Sequence, residues 1–175
     1  ELSNVKDTYV TFEYLVPYNK KRIDCMIYWK WNNNKWNVIH IELKQWSNSW
    51  VKAMDIDWNF EEVYAFTWHW NRIVPHPSQQ VRWYNDYLVW FIEVLSSEEL
   101  GLTGMAYCYN YNRVDWVDLY DKRYDNLQKE YRTYSWNEVK ELADKIHEIL
   151  SNWDWFSVFN KMALSPIRPS KKLHD

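Results

Sequence analysis

An α/β domain is what this sequence predicts, and three observations predict it. Segments near the N-terminus alternate apolar and polar residues with the period of a half-buried strand. Two later segments carry apolar residues at helical spacing behind turn or capping signals. The two kinds of segment are interleaved along the chain.

The elements follow in order. Residues 8–15 and 22–28 read as strands with a Pro17-Tyr18-Asn19 turn between them. Residues 37–45 form a third strand, and Glu61 to Thr67 a fourth. Pro75-His76-Pro77-Ser78 opens a helical stretch to about Leu95, with Ser78 as the expected N-cap. Residues 104–109 read as a buried strand. Ser135, three residues before Glu138, offers a capping box, and Val139, Leu142, Ala143, Ile146, Ile149 and Leu150 continue at helical spacing.

Composition narrows the function classes. With 175 residues the chain suits one domain, and 47% hydrophobic residues can bury a core. A net charge of -3 excludes a broad basic footprint, so a nucleic acid would meet a local patch. Two cysteines, Cys25 and Cys108, exclude a disulfide scaffold and lack metal-ligand spacing, which fits a reducing cytoplasm. No apolar run approaches the length of a membrane span, and no signal-peptide pattern opens the chain.

One pair of counts is abnormal. The chain has two glycines where about 12 are ordinary, and it has 14 tryptophans. Many tryptophans sit where turns place glycine: Trp29, Trp31 and Trp36 around a polar connection, Trp58 within Asp57-Trp58-Asn59, Trp68 and Trp70 beside His69, Trp153 and Trp155 beside Asp154, and Trp136 at a helix start. The expectation is that all but Trp46 stand for glycine, through a UGA codon that some bacterial lineages read as glycine. The bland alternative is an aromatic-rich core or a stacking surface for sugars or bases.

The chemistry-bearing residues lie on the second and third strands. Glu42 and Lys44 are two apart and project from one face, with Ile39, Ile41 and Leu43 expected on the other. Arg22 and Asp24 likewise share a face of the second strand. If the strands are neighbours, Asp24, Glu42 and Lys44 converge. Two carboxylates and a lysine are the minimum for Mg²⁺-assisted phosphodiester hydrolysis. Alone, Glu-x-Lys also describes a solvated strand face with a salt bridge. Gln80 and Tyr84, four apart, share one face of the following helix.

This order of Asp24, then Glu42-Leu43-Lys44, then Gln80-x-x-x-Tyr84 resembles the PD-(D/E)XK nuclease superfamily, in particular its RecB-like branch. Phe12-Glu13-Tyr14, Ile41 to Trp46, His76 to Gln80, Tyr109-Asn110-Tyr111 and Arg168 to Leu173 are similar to bacterial proteins that join such a region to a Schlafen-group-3-like superfamily 1 helicase domain.

The resemblance implies a restriction-endonuclease-like core, a mixed sheet flanked by helices with a helical C-terminal part. It implies one domain over residues 1–165, with its core over about 8–110 and its helical part over about 120–163. Residues 166–175 would then be a linker toward an absent helicase domain. It implies Mg²⁺ or Mn²⁺ held by Asp24 and Glu42, with Glu13 as a looser third ligand. Lys44 would serve the nucleophile and Gln80 would shape the site. Tyr84, Arg22 and His76 are the candidate substrate contacts; His76 reads equally as a capping or packing residue. The expected activity is hydrolysis of DNA, and the alternative is a nuclease-like module that binds nucleic acid or regulates its helicase without cutting.

Overall fold

A computed structural model of the chain describes residues 9–30, 36–55, 60–67, 70–97, 100–149, 159 and 161–167. It is a mixed α/β fold. One sheet has the order β1-β2-β3-β7-β8: β1 is Tyr9–Leu15, β2 Arg22–Lys30, β3 Trp36–Ser47, β7 Leu100–Asn110 and β8 Thr133–Ser135. β1, β2 and β3 run antiparallel, while β7 and β8 are parallel, so the sheet is mixed. A second sheet joins β4 (Val51–Ala53), β5 (Glu62–Thr67) and β6 (Trp70–Pro75). The helices are α1 (Pro77–Phe91), α2 (Glu93–Ser96), α3 (Asp125–Glu130) and α4 (Val139–Ile149).

The chain divides into two compact units, residues 1–41, 83–104 and 143–175, and residues 42–82 and 105–142. In the first, β2 contributes Ile23, Met26 and Tyr28, and β3 contributes Val38. Tyr84 and Leu88, one turn apart on α1, join them in a buried cluster with Ile92, Leu95 and Met162. α1 stops at Ile92, whose backbone leaves the helix to bridge Ile167. Pro166, at the start of the expected linker, accepts a hydrogen bond from the Glu93 amide.

In the second unit, Val51 and Val63 of the three-stranded sheet pack on Cys108, Tyr111, Leu119 and Tyr124. β5 matches the expected fourth strand. β6 is not visible in the sequence, because Trp70-Asn71-Arg72 reads as polar turn; here it closes an antiparallel pair from Thr67↔Trp70 to Glu62↔Pro75.

The tryptophans divide as expected where their side chains are described. Trp46 is partly buried against the second unit's core, whereas Trp50, Trp70, Trp83, Trp90, Trp116 and Trp136 are exposed. Trp31, Trp58, Trp68, Trp153 and Trp155 lie outside the described residues. Trp116 has a φ of 65°, in the left-handed region where a Cβ costs about 1–2 kcal/mol and glycine sits freely. Trp116→Gly is therefore expected to stabilise the fold by about 1 kcal/mol, read as a higher urea midpoint. An unchanged or lower midpoint would mean that the indole is at home there.

Candidate active site

Glu42 and Lys44 alternate onto one face of β3, as their spacing requires. Lys44 Nζ donates to Glu42 Oε1 at 2.7 Å and to Gln80 Oε1 at 2.9 Å; Gln80 Nε2 donates to the same Glu42 oxygen at 2.5 Å. The three side chains close a triangle across 38 residues of sequence. Glu42 is only 4% exposed, and Lys44 and Gln80 replace the water that its Oε1 loses. Lys44 also stands 5.5 Å from the Trp46 ring centroid, a cation–π contact on the same strand face.

Beside the triangle lies Cys108, fully buried on β7. Burial pushes its thiol up to about 12, with the Lys44 charge opposing and the Glu42 and Glu138 charges adding. It stays a thiol at neutral pH and is no nucleophile.

Gln80 reaches the triangle because the start of α1 is fixed. The helix begins at Pro77, and its cap is His76, not the expected Ser78. His76 Nδ1 accepts the Ser78 amide at 3.1 Å, Nε2 meets the Leu119 carbonyl at 3.0 Å, and the ring stacks on Tyr124 at 4.6 Å. Ser78 instead bonds through its hydroxyl to Thr133 at 2.8 Å. Burial drives the His76 pKa down to about 4, with the Leu119 bond opposing, so the ring is neutral and Nδ1 can accept. The phosphate contact expected of His76 is thus corrected: the ring is fully buried with both nitrogens engaged.

Asp24 belongs to the first unit. It is half-buried on β2, and its charge, after burial itself, helps raise the neighbouring Cys25 thiol to about 11. The β2–β3 register in that unit runs to Cys25↔Ile41.

Three other expectations change. Glu13 has a φ of 55°, interrupting the regular backbone of β1, and its carboxylate takes Arg22 Nη1 at 3.2 Å with both side chains about 60% exposed. It forms a surface ion pair and not a buried ligand. Arg22, the other half of that pair, stays accessible, since exposed pairs contribute at most about 1 kcal/mol. Tyr84 is buried in the first unit's apolar cluster, which corrects its expected substrate contact. Leu43, expected in the core, is 38% exposed, beyond the stretch that Ile39 and Ile41 bury.

A second polar centre escapes sequence reading. Glu138 Oε1 accepts Arg113 Nη1 at 2.7 Å and Arg132 Nη2 at 2.8 Å, while Oε2 accepts the Tyr120 hydroxyl at 2.9 Å and the Ser135 amide at 3.1 Å. The Ser135 bond is the expected capping box. The other donors come from residues with no sequence pattern linking them to Glu138. Among the described residues, no helix is long and apolar enough to cross a membrane.

No protein-family model matches the chain, and no curated protein or solved structure is significantly similar to it.

Proposed function

We propose that this chain is a metal-dependent nuclease domain of PD-(D/E)XK type that hydrolyses phosphodiester bonds of DNA, and that it works beside a helicase domain. The observation that carries this reading is the meeting of Glu42, Lys44 and Gln80, whose order along the sequence is that of the superfamily's motif.

The donor chemistry suits a hard dication. Glu42 is paired with an ammonium, so it is the anion that Mg²⁺ or Mn²⁺ requires. Asp24 is the second carboxylate, and the reading needs it to face Glu42. Among the described residues no three His, Cys, Asp or Glu side chains gather as a cation cage; Mg²⁺ ordinarily keeps several waters and needs few protein ligands. When bound, such an ion polarises a phosphoryl group and acidifies a water. Lys44 would hold that nucleophile and neutralise developing charge, Gln80 would keep Lys44 on station, and Arg22 would meet a phosphate of the strand.

The test is incubation with single- and double-stranded DNA, using both the chain as it stands and a version with glycine at every tryptophan but Trp46. Mg²⁺ or Mn²⁺ should support cleavage, and a chelator should stop it. Binding without cleavage under any metal would transfer the case to the non-catalytic reading. That reading has an observation of its own: Lys44 already neutralises Glu42 at 2.7 Å, as in a purely structural ion pair.

A further inference from the structure

We propose that His76 is the positioning residue of the Glu42–Lys44–Gln80 site, fixing by its cap where the Gln80 amide meets the carboxylate and the ammonium. The inference rests on reading those three side chains as the working site, but its test observes Lys44 directly and holds whether or not the chain cuts DNA.

All four hydrogen-bonding groups of His76 are committed. Its amide donates to the Glu61 carbonyl at 2.8 Å, and its carbonyl accepts the amide of Gln80 itself at 3.0 Å. Nδ1 takes the Ser78 amide, and Nε2 donates to Leu119. Its stacking partner Tyr124 is in turn anchored, donating to the Glu62 carbonyl at 2.6 Å and accepting the Met54 amide at 3.3 Å. The first turn of α1 is therefore held at its side chain and its backbone by residues from three distant segments. Pro77, with its fixed φ and no amide to satisfy, suits the first helical position.

A buried cap matters here because of what lies one turn on. The Gln80 amide has a single productive orientation, nitrogen toward Glu42 and oxygen toward Lys44. A small rotation of the helix start would take both bonds together and leave a half-buried ammonium with one partner fewer. Asparagine can replace the acceptor role of Nδ1, since its side-chain oxygen is a strong N-cap, but it cannot reproduce the stacked ring.

The experiment is amine acylation followed by peptide mapping, comparing the rate at Lys44 with that at exposed Lys52 in the same unit. Gln80→Ala should speed Lys44 labelling about tenfold, near the worth of one hydrogen bond to a charged group. His76→Ala should give a similar increase, and the double variant no more than either single one. His76→Asn should stay close to the wild-type rate, and Lys52 should not change in any of them. If His76→Ala fails to fold, the His76→Asn chain decides: a wild-type rate supports the proposal, and a rate like that of Gln80→Ala overturns it. An unchanged Lys44 rate in His76→Ala would also overturn it. So would multiplying effects in the double variant, or equal increases at Lys44 and Lys52, which would mark a residue that merely holds the unit together.

Discussion

If the chain is the proposed nuclease, Lys44→Ala should lower its cleavage rate by about a hundredfold to a thousandfold, the loss expected when one preorganised donor to developing charge is removed. The same change should strengthen binding of the proposed metal, because the dication would no longer compete with an ammonium 2.7 Å from Glu42 Oε1. This sign separates a catalytic lysine from a ligand: Glu42→Ala and Asp24→Ala should weaken metal binding, each removing an anionic donor.

Stability must be measured alongside. Removing Lys44 leaves Glu42 nearly buried with its charge uncompensated, and breaking a buried pair costs about 3–5 kcal/mol. The double variant Glu42→Gln/Lys44→Met removes both charges at nearly constant volume, so it should regain most of that stability and remain inactive. Calorimetry with Mn²⁺, urea unfolding and a cleavage assay on the same set check all three expectations. Cleavage that survives both Lys44→Ala and Glu42→Ala would belong to another site or to a contaminating enzyme.

Acidification from about pH 6.5 to about pH 4 should destabilise the protein strongly. His40 and His76 are both fully buried, and burial lowers each pKa from 6.5 to about 4; Asn85 opposes the shift at His40, and the Leu119 carbonyl opposes it at His76. The unfolded chain therefore takes up protons at these positions before the folded one does. Stability is full above about pH 6.5 and falls as the pH drops toward 4. Each histidine accounts for about 3 kcal/mol across that window. Together they approach the whole stability of an ordinary domain, which is about 5–15 kcal/mol. Urea midpoints at pH 7, 6, 5 and 4 should fall steadily, and His40→Leu should remove about half of the slope. A midpoint flat across the window would contradict the buried, neutral state of both rings.

Much of this was legible from residue spacing. Glu42 and Lys44 had to share a face because strands alternate, and Ser135 and Glu138 had to close a capping box because they stand three apart. Gln80 was legible only through motif order, since no periodicity connects a helix start to a strand 36 residues away. What failed to show depends on tertiary neighbours. His76 is not an ordinary capping type, so the sequence favours Ser78; the imidazole wins because Leu119 and Tyr124 hold it in place. Tyr84 stands where the motif places a site residue, and its ring is taken by the apolar cluster around Leu88. Leu43 follows the strand's apolar alternation correctly, yet nothing about period says how far along a strand burial extends.

The two cysteines, finally, make this chain convenient for site-directed spectroscopy. Cys25 is 8% exposed and Cys108 is wholly enclosed, with thiols raised to about 11 and about 12. Maleimide and spin-label reagents attack thiolates, so both native positions are shielded twice, by access and by protonation. A cysteine introduced at an exposed position such as Lys52 would be the one fast-reacting thiol, with no need to strip the native pair from the core. Fluorophores or nitroxides placed in this way at two surface sites would report the distance between the two compact units in solution, with and without a divalent cation.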